Sequence, residues 1–105
     1  MEKQIFSIIM QTSIGKRYGT MTVEWKEESI SGFLTILEHT EAFHGCVDES
    51  GNCQIEGKII SLTRTIPYVA TGKINSTMIQ LILKGEKNVF ALSGVPDIEN
   101  GGTNL

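Results

Sequence analysis

The sequence predicts an all-β fold, an eight-stranded antiparallel up-and-down meander that closes into a small barrel. Apolar and polar residues alternate with period two along nearly the whole chain, which is typical of strands with one buried face. The same segments are rich in β-branched and aromatic residues, as strands favour. No segment sustains the apolar spacing of an amphipathic helix. Clusters of turn-forming residues interrupt the alternation seven times, so the chain divides into eight strands.

The alternating apolar residues define each strand in order and predict its inward face. The predicted strands are residues 4–13, 18–26, 29–38, 41–48, 52–62, 65–75, 77–84 and 88–95. From the first strand to the eighth, the predicted inner face is Phe6, Ile8 and Met10; Met21, Val23 and Trp25; Ile30, Leu34 and Ile36; Phe43 and Val47; Ile55 and Ile59; Ile66, Tyr68 and Ile74; Ile79, Leu81 and Leu83; Phe90 and Leu92.

The turns between these strands are short, so sequential strands must be antiparallel neighbours. Closure of the meander removes two exposed edges, and an eight-stranded barrel either fills its interior with side chains or holds one small ligand. We expect residues 1–95 to form a single domain and residues 96–105, which are polar and rich in glycine, to be a flexible tail. A flattened half-barrel or a two-sheet sandwich is compatible with the same alternation.

A short repeat of apolar, any, Gly, any, apolar occurs on five of the predicted strands. It places a glycine on the inner face of each, and Gly19 fits the same face of the second strand. Strong coiling of the strands explains such glycines, because small barrels bend where side chains are missing. A ligand cavity is the other explanation. The glycines of the repeat are Gly32, Gly45, Gly57, Gly72 and Gly94.

The repeat, carried by a single-domain meander, resembles the small ligand-binding barrels of the avidin and lipocalin type, the calycins. The resemblance covers residues 4–95 and implies a barrel that holds a small molecule. The chain departs from these families on its first strand, where Phe6, Ile8 and Met10 stand in place of a Gly-x-Trp opening. The predicted inner face also lacks the hydroxyls and amides of a biotin site, so the ligand that the resemblance implies is apolar.

Four aromatic residues are the candidate ligand-binding residues: Trp25, Phe43, Tyr68 and Phe90. In a pocket their rings would line an apolar ligand, while the Tyr68 hydroxyl and the Trp25 indole N–H would orient it. The same residues are also what an ordinary packed aromatic core requires.

Neither a metal site nor a catalytic site is predicted. His39, His44, Cys46 and Cys53 lack the spacing of zinc ligands, so we expect no metal and no other cofactor. His44 and Cys46 point the same way but lie about 7 Å apart along one strand, too far for a nucleophile and its base. We therefore expect the protein not to be an enzyme.

The two cysteines flank a predicted hairpin. A simple turn would set Cys46 opposite Cys53, so that both thiols point to the same face of the sheet. The alternation predicts that Cys46 points outward, but that Cys53 points inward with the apolar residues of the following strand. A one-residue bulge around Ser50 and Gly51 resolves the conflict and puts the thiols on opposite faces, so we expect both to be free.

Composition excludes several partners. With 9 basic and 12 acidic residues, a net charge of −3 and no basic cluster longer than Lys16 and Arg17, nucleic acid is not expected to bind. No apolar run approaches the ~20 residues of a membrane span, and no cleavable signal is visible, so we expect a cytoplasmic protein and no membrane partner. Apolar residues on the predicted outer face, among them Phe33, Leu37 and Ile82, favour a homodimer.

These observations lead to two hypotheses about function. The first is a small non-enzymatic barrel that binds a hydrophobic small molecule. The alternative is a structural or protein-interaction module with a filled core, which acts through its exposed apolar face or a homodimer surface.

Overall fold

The computed structural model describes residues 2–97, which form eight antiparallel strands in one closed barrel. Each strand pairs with the next along the chain, and β8 pairs with β1 to close the barrel. This confirms the predicted fold class. The strands are β1 (Glu2–Thr12), β2 (Gly15–Lys26), β3 (Ser29–Ile36), β4 (His39–Val47), β5 (Asn52–Ile60), β6 (Thr65–Asn75), β7 (Met78–Lys84) and β8 (Val89–Pro96).

The core follows the predicted period-two face. Nearly every residue predicted to point inward is buried, whereas Trp25, Ile66 and Phe90 are only partly so. Cys53 and Ala70 complete the inner face, although they are smaller than the residues that dominate the pattern. The buried hydrophobic residues are Phe6, Ile8, Met10, Met21, Val23, Ile30, Leu34, Ile36, Phe43, Val47, Cys53, Ile55, Ile59, Tyr68, Ala70, Ile74, Ile79, Leu81, Leu83 and Leu92.

The closing seam extends slightly beyond the predicted domain boundary. Phe6 pairs with Pro96, and the Asp97 amide then donates a hydrogen bond of 2.9 Å to the carbonyl oxygen of Ile5. Pro96 and Asp97 therefore belong to the barrel wall. Residues 98–105, the rest of the expected tail, lie outside the described residues.

The first turn is tighter than predicted, and the turn between β3 and β4 lies two residues earlier in the chain than predicted. β1 and β2 are joined by residues 13–14 alone, and β3 and β4 by residues 37–38. Leu37 and Glu38 both have positive φ, 56° and 69°, the signature of a type I′ hairpin turn. Such a turn normally contains Asn or Gly. Because Leu37 and Glu38 occupy it here, the usual turn preferences do not predict it. Leu37, expected on the outer face of a strand, instead packs against the core from this turn.

The inward glycines lie where neighbouring strands approach each other most closely. A Cβ atom at Gly32 would overlap the Thr22 carbonyl oxygen, and one at Gly72 would overlap that of Gln80. At Gly57 a Cβ atom would lie 2.7 Å from the Tyr68 hydroxyl. These positions support strand coiling, because the space beside each glycine is already filled by backbone or by a core side chain.

The hairpin between β4 and β5 contains the predicted extra residue. Val47 pairs with Cys53, and Gly51 has a φ of 92°, as in a three-residue hairpin loop with a bulge. Cys46 is consequently exposed and Cys53 buried. The prediction that the two thiols lie on opposite faces is confirmed.

Among residues 2–97, no helix is long and apolar enough to cross a membrane.

Substitution of Gly32 tests the account of the glycines. Gly32→Ala should lower the free energy of unfolding by on the order of 3 kcal/mol, since the new methyl group meets a backbone oxygen that cannot move without breaking the register. Urea unfolding measures this, with Ser31→Ala on the exposed face of the same strand as the matched control. Equal stability of the two variants would contradict it.

Asp48 provides a second test, based on pH. Its pKa is lowered chiefly by a hydrogen bond from the Asn52 side chain, at 3.2 Å, and further by the amides of Asn52, Ser50 and Gly51. A depressed pKa means that the carboxylate stabilises the fold above its ordinary value of 3.8 and loses this effect as the pH falls through the folded-state pKa.

Asp48→Ala should therefore lower the melting temperature at neutral pH, and its difference from the wild type should shrink in acid. Thermal melts followed by circular dichroism, at neutral pH and in acid, measure this difference in melting temperature. Glu49→Ala removes the same charge from the same loop and should show no such pH dependence; a similar profile for both variants would argue against the assignment.

Candidate functional site: the apolar mouth of the barrel

The structure does not gather the four predicted aromatic residues into one lining. Phe43 and Tyr68 both lie beside Gly57 within the core. Trp25 packs edge-on against Phe6, with ring centroids 6.4 Å apart, near the end of β2. Phe90 lies near the start of β8, at the other end of the barrel. Of the four, only Phe90 lines a broad concave surface at one end of the barrel.

That surface is an open depression of about 580 Å³ at one end of the barrel, here called the mouth. Its volume falls within the range typical of small-molecule sites. Its floor is apolar and its rim mixes aliphatic, hydroxyl and charged side chains. The floor consists of Met10, Leu37, Ile59, Ile66 and Phe90, and the rim of Thr12, Ser13, Ile14, Arg17, Glu38, Ser61, Leu62 and Thr63.

The mouth opens where the barrel wall separates. β4 and β5 pair only from His44 to Val47 within the described chain, so their mouth-end halves are not paired with each other. Glu41 lies on the inward side of β4 and spans this separation to Lys58, with a carboxylate–ammonium distance of 3.7 Å. Beyond the separation, Ile59 faces inward opposite Ile66 of β6.

Leu37 covers one side of the mouth through a strained backbone. A large aliphatic residue in the left-handed region costs about 1 kcal/mol or more. Packing of the half-buried Leu37 side chain against the core offsets this cost. An Asn or Gly at the same turn would relieve the strain but leave the mouth without this wall.

Two charges of opposite sign stand on the rim. Arg17 pairs across the hairpin with Met10, and its Nη1 donates a hydrogen bond of 3.0 Å to the Lys16 carbonyl oxygen. Glu38 follows Leu37 in the turn and is exposed. Neither forms a salt bridge within residues 2–97, so both remain available to a polar group of a ligand.

The candidate metal and catalytic residues do not converge among the described residues. His44 and Cys46 lie on the exposed side of β4, where the His44 Nε2 is 3.8 Å from a Glu56 carboxylate oxygen. Cys53 faces the core, and burial, with smaller effects of Cys46 and Asp48, raises its pKa to about 11. The thiol therefore stays protonated and unreactive near neutral pH.

Tyr68 is likewise held in its neutral form. Burial raises its pKa to about 12, so the phenol donates or accepts hydrogen bonds but carries no charge near neutral pH. The end of the Tyr68 ring lies beside Gly57, and this buried residue is separate from those that line the mouth.

Sequence reasoning missed most of the mouth. Period-two alternation assigns Met10, Ile59 and Ile66 to the inner face but not to a height along the barrel. A usable signal was present in the turns, because Ile14, Leu37 and Leu62 occupy positions where polar residues are usual. In a meander, alternate turns lie at the same end, which brings these three together.

Comparisons with protein-family models, with curated proteins and with solved structures find no match to this chain.

Proposed function

We propose that the protein is a non-enzymatic barrel that binds a small, mainly apolar molecule at the mouth. The observation that carries the proposal is an apolar floor that the fold leaves open to solvent at one end of the barrel. Leu37 and Phe90 are only partly buried there, although both pack against the core. A ligand that covers them would remove apolar surface from water, which is the main source of affinity for such molecules.

The filled interior limits how deep the ligand can reach. Met10 and Ile59 on the floor are almost fully buried, at 1% and 2% exposure. Below them Phe43 and Tyr68 occupy the space beside Gly57. The proposed ligand therefore lies across the end of the barrel, with its polar groups near Arg17 or Glu38.

A second candidate function rests on the outer wall formed by β6, β7, β8 and β1. Its central outward residues are uncharged, and Ile9, Val69 and Ile82 are exposed. This favours contact with a second copy of the chain, because contiguous apolar surface usually marks an interface. A shallow depression of about 550 Å³ crosses the wall, lined by Ile9, Gln11, Lys16, Thr71, Gly72, Gln80, Leu81, Ile82, Ala91, Leu92 and Ser93. The homodimer and the cytoplasmic location both remain predictions.

The mouth proposal is tested with the amphipathic naphthalene dye ANS, whose fluorescence rises in apolar surroundings. The folded protein should bind about one dye per chain, and Phe90→Ser should weaken binding about tenfold, since most of an aromatic contact is lost. Phe33→Ser, which removes an exposed ring from the outer face of β3, is the matched control and should bind like the wild type. No saturable binding, or equal loss in both variants, would contradict the proposal.

The homodimer is tested by sedimentation equilibrium. If the wall is an interface, Ile82→Lys should shift the protein from dimer to monomer by burying an unpaired charge. Phe33→Lys, a matched change on β3, should leave the mass unchanged. A wild-type protein that is monomeric at all accessible concentrations would remove this candidate.

A further inference from the structure

Two aliphatic side chains protrude into solvent from the turns around the mouth. Leu62 is 100% exposed and Ile14 is 79% exposed, the two highest values among the exposed large hydrophobic residues described. Both line the rim, so they stand on the same end of the barrel. Fully exposed aliphatic residues are ordinary when they are scattered, but a pair at the tips of two turns on one end requires a reason.

The turns themselves do not require these residues. The Thr12 hydroxyl accepts a hydrogen bond from the Ile14 amide at 3.2 Å and donates one to the Gly15 carbonyl at 2.8 Å. In the other turn, the Ser61 hydroxyl bonds both the amide and the carbonyl of Arg64. In each case a hydroxyl residue holds the turn, so a polar residue at the tip would serve the fold equally well.

The turns at the opposite end are polar. Residues 27–28, 48–51 and 76–77 contain no aliphatic residue; their tips carry glutamate, serine and threonine. Three of the four mouth-end turns carry an aliphatic residue and the fourth, residues 85–88, does not, whereas none of the three opposite turns carries one. The two ends of the barrel therefore differ in the residues of their turns.

The two ends of the barrel also differ in charge. Around the mouth-end turns, basic residues outnumber acidic ones, whereas the reverse holds around the opposite turns, although the chain as a whole is acidic. Within three residues of the turns, the mouth-end set is Lys16, Arg17, Lys58, Arg64, Lys84 and Lys87 against Glu38, Glu41 and Glu86; the opposite set is Lys26 and Lys73 against Glu24, Glu27, Glu28, Asp48 and Glu49.

We propose that the mouth end docks on an anionic phospholipid bilayer. Ile14 and Leu62 would enter the boundary between headgroups and acyl chains, and basic residues such as Arg17 and Arg64 would lie at headgroup level beside anionic phosphates. Separate protruding tips around a concave centre suit a deformable lipid surface better than a rigid protein partner, whose interface is packed as closely as a protein core. The docking goes beyond the ligand-binding function and does not depend on it. It replaces the expectation of no membrane partner, which rested on the absence of a membrane-spanning segment and does not bear on docking at the surface of a bilayer.

Vesicle co-sedimentation tests the docking at low salt. The wild-type chain should bind vesicles of phosphatidylcholine mixed with phosphatidylglycerol, and should bind vesicles of phosphatidylcholine alone about tenfold less or weaker. The double substitution Ile14→Ser and Leu62→Ser should reduce binding to the anionic vesicles at least tenfold, because two exposed aliphatic contacts are lost. Raising the salt concentration should weaken the wild-type interaction by screening.

The matched control carries Phe33→Ser and Val95→Ser, two exposed apolar residues on the barrel walls. It should bind the anionic vesicles like the wild type. Melting curves verify that both double variants are folded, which we expect because none of the four side chains is buried. Absence of binding to anionic vesicles, equal binding to both vesicle types, or equal losses in the two double variants would each overturn the proposal. So would a chain that ignores vesicles but binds a protein through Ile14 and Leu62.

Discussion

Closure of the barrel depends on the close approach of neighbouring strands at the inward glycines. At Gly32, Gly45 and Gly72 a side chain would overlap a carbonyl oxygen of the next strand. Large residues from adjacent strands, such as Phe43 and Tyr68, occupy the space that the glycines leave. Eight strands can therefore close around a filled interior. Core side chains fill the interior. The apolar surface that stays open to solvent lies at the mouth, where β4 and β5 separate.

In the meander, successive turns along the sequence lie alternately at the two ends of the barrel, so each end has its own set of turns. Residues 13–14, 37–38, 61–64 and 85–88 meet at the mouth, and the intervening turns meet at the other end. Hydroxyl and carboxylate side chains hold the turns at Thr12, Ser61 and Asp48, so the remaining turn residues are free to vary. The mouth turns include aliphatic and basic residues beside acidic and small polar ones, whereas the turns at the other end hold only acidic or small residues. This asymmetry links the proposed ligand site to the proposed lipid contact.

Period-two alternation was sufficient to predict eight strands, their order and almost the whole inner face, since burial on one face is what selects that pattern. It also predicted the extra residue near Gly51, because a shift of one residue in register moves the side chains of a strand to the opposite face of the sheet. Alternation does not report height along the barrel axis, which depends on register and coiling. Trp25, Phe43, Tyr68 and Phe90 share the inward face, but only Phe43 and Tyr68 lie side by side. Trp25 and Phe90 lie toward opposite ends of the barrel, so the structure does not bring the four together as one lining. The type I′ turn at Leu37 was also beyond prediction, because tertiary packing there overrides turn preference.

The core of the barrel is filled, and the apolar floor of the mouth is open to solvent. A ligand should therefore bind at the mouth and not in the interior. Nuclear magnetic resonance titration of the labelled protein with a medium-chain carboxylic acid distinguishes the two, because amide shifts report the location of contact residue by residue. We expect saturable shifts at Leu37, Ile66 and Phe90, with little change at Trp25 or around Gly57. Shifts concentrated around Gly57 would show instead that the barrel admits the ligand to its interior.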